Sequence, residues 1–475
     1  MAGHLNPSLA LARRLVGLGH DVRYFAHASV AEVVQATGAS LHSAGNDLSA
    51  LGVFEKLVEE HGLKPAGTNT GNIILNFTKV QNLALEMLLP AALQSLRALN
   101  PNVLVYDPMI LCRDFLFAAQ LLGIPAVSIL TVAGPGGYHD HISAGVSEEE
   151  WIKELEDFHP NTAATERLNQ AYDLGLQVIT RPRLLLEKAD LHIVTTVESL
   201  QDPVAPFLAT AYKDQGAKFE FVGPMLDQPG SARVGGGVDE KSTSVLDAAR
   251  EARAKGRRIV MVSMGTVLTS DLKGTGWHGR PVDANGREHG LSGQELCQAA
   301  WGGAFDAFGA ACEADGPLLL VSLGNRNDAL KGLTPPPNAL CVKGLPQLDL
   351  LRIGVSAFLT HGGQNSFMES MHTGTPLVVC PGFGDQVVNA QKAVDLGVGL
   401  RVPRPDAEPG QQEPAAAAYR QDVRRALARV AAEAAFGEAA GRVAGELREA
   451  GGVEQAADLV LERALPRALP KMGGA

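Results

Sequence analysis

Thr360-His361-Gly362-Gly363-Gln364-Asn365-Ser366-Phe367-Met368-Glu369 stands between a short apolar run, Ala357 to Thr360, and a stretch of helical pattern. A strand that ends on two glycines and passes straight into a helix is the βα turn of an α/β protein. Such a turn gathers free backbone N–H groups and the positive end of a helix dipole at one point, where an anion is favoured. On these residues alone two readings stay open. Ser366-x-x-Glu369 has the spacing of a capping box, and Gly362-Gly363 would serve any tight turn. The next βα turn, Pro381-Gly382-Phe383-Gly384-Asp385-Gln386, again sets glycines at the end of an apolar strand, now beside two polar side chains. Two neighbouring turns of this kind favour a ligand site at the carboxyl ends of parallel strands.

The same alternation extends outward in both directions. Arg258 to Ser263, Leu318 to Ser322, Ala339 to Val342, Ala357 to Thr360, Leu377 to Cys380 and Gly399 to Val402 are strand candidates separated by helical stretches. An earlier series repeats the pattern with Asp21 to Ala26, Val103 to Tyr106, Ala126 to Leu130, Leu191 to Thr195 and Phe219 to Val222. A helix over Pro7 to Leu18 carries Leu11, Leu15 and Leu18 on one face, with Pro7 suited to a first turn. Each series reads as one Rossmann-like layer, and the fold class is α/β. Between the two, a stretch rich in Gly, Pro, Ser and charge reads as an exposed linker, residues 226–245. Leu268 to Leu291, crowded with glycines around Trp277 and His278, is of a length usually functional or mobile, and because it leaves the carboxyl end of a strand it is expected to overhang the cleft. Ala415 to Leu465 reads as Ala/Arg/Glu-rich helix.

The chain has 475 residues, 45% of them hydrophobic and 20% charged, which excludes disorder as the main state. Its 41 Lys and Arg against 52 Asp and Glu leave a net charge of −11, so a nucleic-acid backbone is not an expected partner. Cys112, Cys297, Cys312, Cys341 and Cys380 are odd in number and contain no C-x-x-C, which fits a reducing cytoplasm. No apolar run reaches roughly 18 residues and no secretory leader is visible, so a cytoplasmic location without a transmembrane segment is expected.

Leu345-Pro346-Gln347, His361-Gly362-Gly363-Gln364-Asn365-Ser366, Glu369 and Asp385-Gln386 together resemble the donor-binding signature of the nucleotide-sugar (UDP-) glycosyltransferases of family 1. Gly3-His4-Leu5-Asn6-Pro7-Ser8-Leu9 is similar to the amino-terminal motif of that family's bacterial macrolide-type members. Phe221-Val222-Gly223-Pro224 and Ser263-Met264-Gly265-Thr266 match as well, and all of these stand in the family's order. The resemblance implies a GT-B fold, two Rossmann-like parallel-sheet domains facing across a cleft. Residues 1–225 would bind the acceptor and 246–440 the nucleotide sugar. A C-terminal helix and tail, 441–475, would pack back on the first domain.

The same resemblance assigns the site. His361, Gly363 and the turn at Asn365 and Ser366 would hold the diphosphate, with Gly265 and Thr266 approaching from the other side. Gln347 belongs to the donor signature, Glu369 would take the ribose hydroxyls, and Asp385 with Gln386 the sugar hydroxyls. His4 would be the general base for the acceptor hydroxyl, with Asp107, at the end of the strand Val103 to Tyr106, as its carboxylate partner. Without that context His4 reads as a solvated histidine and Asp107 as a helix cap. Phe77, Met109, Phe115 and Tyr138 are candidates for an apolar acceptor pocket. Where many members place a stacking Trp two residues before the Pro-Gln pair, this chain has Gly344, which leaves UDP or TDP as the nucleotide. The family's members also begin with an apolar strand ahead of the motif at Gly3, so an upstream strand is expected to be missing here.

The implied reaction is inverting transfer of a hexose, glucose by expectation, from a UDP-sugar to a hydroxyl of an apolar small molecule. No D-x-D, H-E-x-x-H or paired cysteines occur, and Tyr138-His139-Asp140-His141 is too isolated for a metal site, so no metal and no cofactor beyond the co-substrate is expected. The helix dipole and His361 would neutralise the leaving diphosphate. A lipid or sterol glycosyltransferase, a nucleotide-sugar epimerase and a catalytically impaired nucleotide-sugar-binding homologue are the rival readings. A Rossmann dehydrogenase is the least favoured reading, because no G-x-G-x-x-G follows an amino-terminal strand.

Overall fold

The computed structural model describes residues 2–42, 50–63, 70–108, 112–137, 146–177, 187–235, 240–271, 275–281, 287–309 and 316–464. Met109 and Tyr138 of the expected acceptor pocket, and His139 and His141, lie outside them. The chain divides into two compact units, one of residues 7–225 with 450–475, the other of residues 1–6 with 226–449.

In the C-terminal unit six parallel strands run in the order β12-β11-β10-β7-β8-β9. They are β7 (Ile259–Ser263), β8 (Leu318–Ser322), β9 (Ala339–Val342), β10 (Ala357–Thr360), β11 (Leu377–Val379) and β12 (Gly399–Arg401). Because β7 and β10 are neighbours although far apart in sequence, the direction of strand progression reverses between them. That reversal is the topological switch point at which open α/β sheets bind ligands. Val260, Val262, Leu319, Leu359 and Val378 are fully buried beneath Trp277, Trp301, Leu427 and Val423. The helices Gly293–Phe308 and Gln412–Ala432 that carry most of this cover approach closely. A Cβ on Gly303 would lie 2.6 Å from the carbonyl oxygen of Arg420, and the Arg420 guanidinium pairs with Asp306 at 2.6 and 2.8 Å.

In the N-terminal unit β3 (Leu104–Tyr106), β4 (Ala126–Leu130), β5 (Leu191–Val194) and β6 (Phe219–Phe221) form one parallel sheet, while β1 (Arg23–Phe25) and β2 (Ser40–His42) form a separate pair. The expected single layer is therefore two sheets, since among the described residues β3 pairs only with β4. The first helix spans Ala2–Gly17, so Gly3 to Asn6 are helical and Pro7 lies inside the helix instead of at its first turn. Pro7 has no N–H for the carbonyl of Gly3, an omission tolerable this close to a helix end. Leu11 and Leu15 are buried against Val127, Ile129 and Ile193, whereas Leu18, expected on the same face, is 41% exposed beyond the helix end.

The C-terminal stretch breaks into three helices, Gln412–Ala432, Ala434–Glu449 and Gly452–Ala464. The chain changes units after Glu449, not near residue 440 as the sequence suggests. The last helix buries Ala456, Ala457 and Val460 with Leu11 and Leu15, and Gly452 N–H donates to Val222 at 2.7 Å. The linker is shorter than expected at its far end, because helix Glu240–Ala254 has already begun by residue 240. No described helix is long and apolar enough to cross a membrane.

His192 on β5 is wholly buried, stacked on Phe219 and hydrogen-bonded through Nδ1 to Ser128 Oγ at 2.7 Å. Burial pulls its pKa down to about 4. Between that value and the unfolded one near 6.5, the unfolded chain binds a proton that the native protein does not, so stability is complete above the window and is lost as pH falls through it. We expect His192 to remove up to about 3 kcal/mol by the acid end. Urea denaturation at stepped pH checks this, and His192→Asn should flatten the dependence.

Candidate functional site

The register Ser263↔Thr360 places the carboxyl ends of β7 and β10 side by side. The turn at Met264-Gly265 and the turn at His361-Gly362-Gly363 therefore emerge together at the switch point. Gly265 has φ +76°, and a Cβ there would stand 2.6 Å from His361 Cε1, so only glycine lets the imidazole lie against this turn. Gly362 has φ +84°, and a Cβ there would meet Val379 Cγ1 at 2.4 Å, which fixes the second turn against β11. Asn389, 1% exposed, donates from Nδ2 to the Gly362 carbonyl at 2.9 Å, and Thr360 Oγ1 accepts from Gly362 N–H at 3.2 Å.

Helix Gln364–Thr373 starts from Gly363 as its N-cap. Ser366 and Glu369 thus lie within the helix, and the capping-box reading falls away. Between glycines 265 and 363, the His361 ring keeps Nδ1 buried with no hydrogen-bond partner among the described residues, and Gln364 Oε1 is in the same state. Orphaned polar atoms of this kind at a helix N-terminus mark a place where a polar ligand would complete the bonding. Burial lowers the His361 pKa to about 4, so near neutral pH the imidazole carries no charge. In the ligand-free protein the ring can therefore offer a hydrogen bond but no charge, beside the positive end of the helix dipole.

The third turn supports the second. Asp385 Oδ2 accepts from Gln364 N–H at 2.9 Å, and Gln386 Oε1 accepts from the N–H groups of Gly382 and Phe383 at 2.8 and 3.4 Å. These two side chains, expected on the sugar hydroxyls, therefore also brace the β11 turn against the Gln364 helix. Thr266 is exposed in the four-residue helix Gly265–Leu268, and Asn365 is half-buried. Gln347 Nε2 donates to Ser366 Oγ at 3.1 Å and to Glu369 Oε2 at 2.7 Å, which joins the Pro-Gln pair to the Gln364 helix.

The remaining candidates stand on other elements. His4 is half-buried in the first helix, and Asp107 follows β3 in the N-terminal unit. Phe77 packs edge-on to Phe54 at 5.3 Å, and Phe115 lies 4.7 Å from Phe25. Within the loop after β7, Trp277 is fully buried against Trp301, and its indole N–H donates to Asp328 Oδ2 at 3.3 Å. Burying a large aromatic outweighs the freedom of the surrounding glycines. Arg233, which the linker reading passed over, reaches Glu369 from a Gly- and Ser-rich stretch. Among the described residues no group of three or more His, Cys, Asp or Glu is arranged to hold a metal ion.

The six-stranded parallel sheet with three glycine-rich turns at its switch point is a Rossmann-like unit of the kind that binds ligands there, and comparisons with known proteins extend the reading to the whole chain. The family model for UDP-glucoronosyl and UDP-glucosyl transferase matches residues 325–404, which span β9 to β12 and the turns after β10 and β11. The NDP-glycosyltransferase YjiC of Bacillus subtilis is 24% identical over 458 residues, covering 96% of this chain and 93% of the relative. Among solved structures, the glycotransferase of kitacinnamycin superposes with a TM-score of 0.62 at 23% identity, over 98% of this chain and 96% of that one. Glycosyltransferase VinC in complex with DTDP gives 0.62 at 17% identity, over 98% of both chains. The chain has the GT-B fold of these solved structures, and its matches support a glycosyltransferase enzyme that uses a nucleotide-sugar donor, similar to the UDP-glycosyltransferases over residues 325–404.

Proposed function

We propose that the enzyme transfers a hexose, glucose first among them, from a UDP-sugar to a hydroxyl of an apolar small molecule with inversion at the anomeric carbon. The observation that carries the donor half is the orphaned His361 Nδ1 between Gly265 and Gly363, at the N-terminus of the Gln364 helix. A diphosphate supplies the acceptor oxygens this spot lacks, and vicinal hydroxyls suit the carboxylates of Glu369 and Asp385. In the proposed reaction His4 takes the acceptor proton while the acceptor oxygen bonds to the anomeric carbon. The bond to the diphosphate breaks, and UDP leaves with the electron pair. Asp107 would steady the imidazolium that forms. Phe77 and Phe115 are the described apolar candidates for the acceptor side.

A panel of UDP- and TDP-hexoses against phenolic, macrolide and sterol acceptors, read by acceptor mass, tests the proposal. A hexose mass shift with an apolar acceptor supports it, and donor conversion without any acceptor would make the chain an epimerase. Since the leaving diphosphate is assigned to N–H donors, turnover is expected to survive excess EDTA. Activity abolished by EDTA and restored by Mg²⁺ or Mn²⁺ would place that charge on a cation instead.

A further inference from the structure

The linker is not free where it passes the donor turns. Asp227 is buried and its carbonyl accepts from Arg352 Nη2 at 2.5 Å. Gly230 N–H donates to Asp349 Oδ2 at 3.1 Å. Farther along, the Asn6 amide brackets Val234, accepting from its N–H at 2.9 Å and donating to its carbonyl at 3.2 Å. Residues 227–234 thus form a strap fixed at both ends within the C-terminal unit. From this strap the Arg233 guanidinium pairs with Glu369 Oε1, while Gln347 Nε2 holds Oε2 at 2.7 Å. Arg233 is 17% exposed and Glu369 only 2%.

A carboxylate buried to that degree, with an oxygen given to a guanidinium and the other to an amide, has no face open to a ribose hydroxyl. The geometry points to Arg233 as a built-in competitor for the ribose position: a nucleotide sugar binds only when the strap lets the Arg233 guanidinium leave Glu369. This rests on the proposal that Glu369 receives the ribose. Breaking a buried guanidinium–carboxylate pair leaves charge uncompensated, which is strongly unfavourable. The covered state therefore dominates without donor, and apparent affinity is reduced by the fraction of molecules that are uncovered. Asn6 sets that fraction from the other side, because its two bonds hold the backbone next to Arg233.

The test is calorimetric titration of wild type, Arg233→Ala and Asn6→Ala with whichever of UDP and TDP binds more tightly, and with its 3′-deoxy form. Arg233→Ala should tighten the parent nucleotide by about tenfold or more, lower the donor KM with it, and widen the preference over the 3′-deoxy form. Asn6→Ala should tighten it by a smaller factor. Unchanged or weaker binding in Arg233→Ala, with the parent still preferred over the 3′-deoxy form, overturns the competitor role and leaves Arg233 as an ordinary nucleotide contact. Should Arg233→Ala fail to fold, Asn6→Ala reads the same equilibrium, and an unchanged or weakened affinity there overturns the proposal. Equal binding of parent and 3′-deoxy forms in every variant, or no nucleotide binding at all, would instead defeat the assignment of Glu369 to the ribose.

Discussion

Replacing His361 with Ala is expected to lower kcat/KM for the nucleotide sugar by a factor on the order of 10² to 10³, the usual loss when one preorganised donor to a developing charge is removed. The ring is held by contact with Gly265 and Gly363 and by burial, with no partner on Nδ1, so its orientation precedes any ligand. Preorganisation of this kind acts most strongly where water is excluded. The variant should fold normally, because deleting the ring relieves a buried unpaired nitrogen. Steady-state kinetics within threefold of wild type would remove His361 from the donor site.

His4→Ala is expected to cut transfer by at least about a hundredfold while nucleotide binding persists, since the base acts on the acceptor and not on the donor. Asp107→Asn should lose less, because the imidazole would remain but be poorly oriented. Rates measured with saturating donor separate the two effects from donor affinity. Full transfer by His4→Ala would end the assignment of His4 as the base.

What the sequence revealed follows from what each segment buries. Strands of a parallel sheet covered on both faces are continuous apolar runs, and Leu318–Ser322, Ala339–Val342 and Ala357–Thr360 stand at the positions read from sequence. Ser40–His42 escaped notice because it is three residues long and none of them is buried. The start of the first helix was misjudged on Pro7, whose preference for a first turn yields here to a helix already begun at Ala2. Composition misled twice in the same way. Glycine and serine report conformational freedom in the unfolded chain and say nothing of contacts made after folding. Trp277 draws the loop after β7 into the core, and Arg233 ties the linker to Glu369, although both sit among residues that read as irregular. The charge state of His361 was also hidden, because desolvation depends on packing by Gly265 and Gly363 from different strands.

The most direct measurement is the titration of His361 itself, followed by NMR of its ring carbons with and without UDP. In the free protein the ring should titrate near pH 4, the value burial imposes. A diphosphate seated at the Gln364 helix N-terminus favours the charged imidazole, so saturating UDP should shift the His361 resonances and raise its midpoint. A midpoint and resonances that stay unchanged under saturating UDP would contradict the placement of the donor diphosphate at these turns.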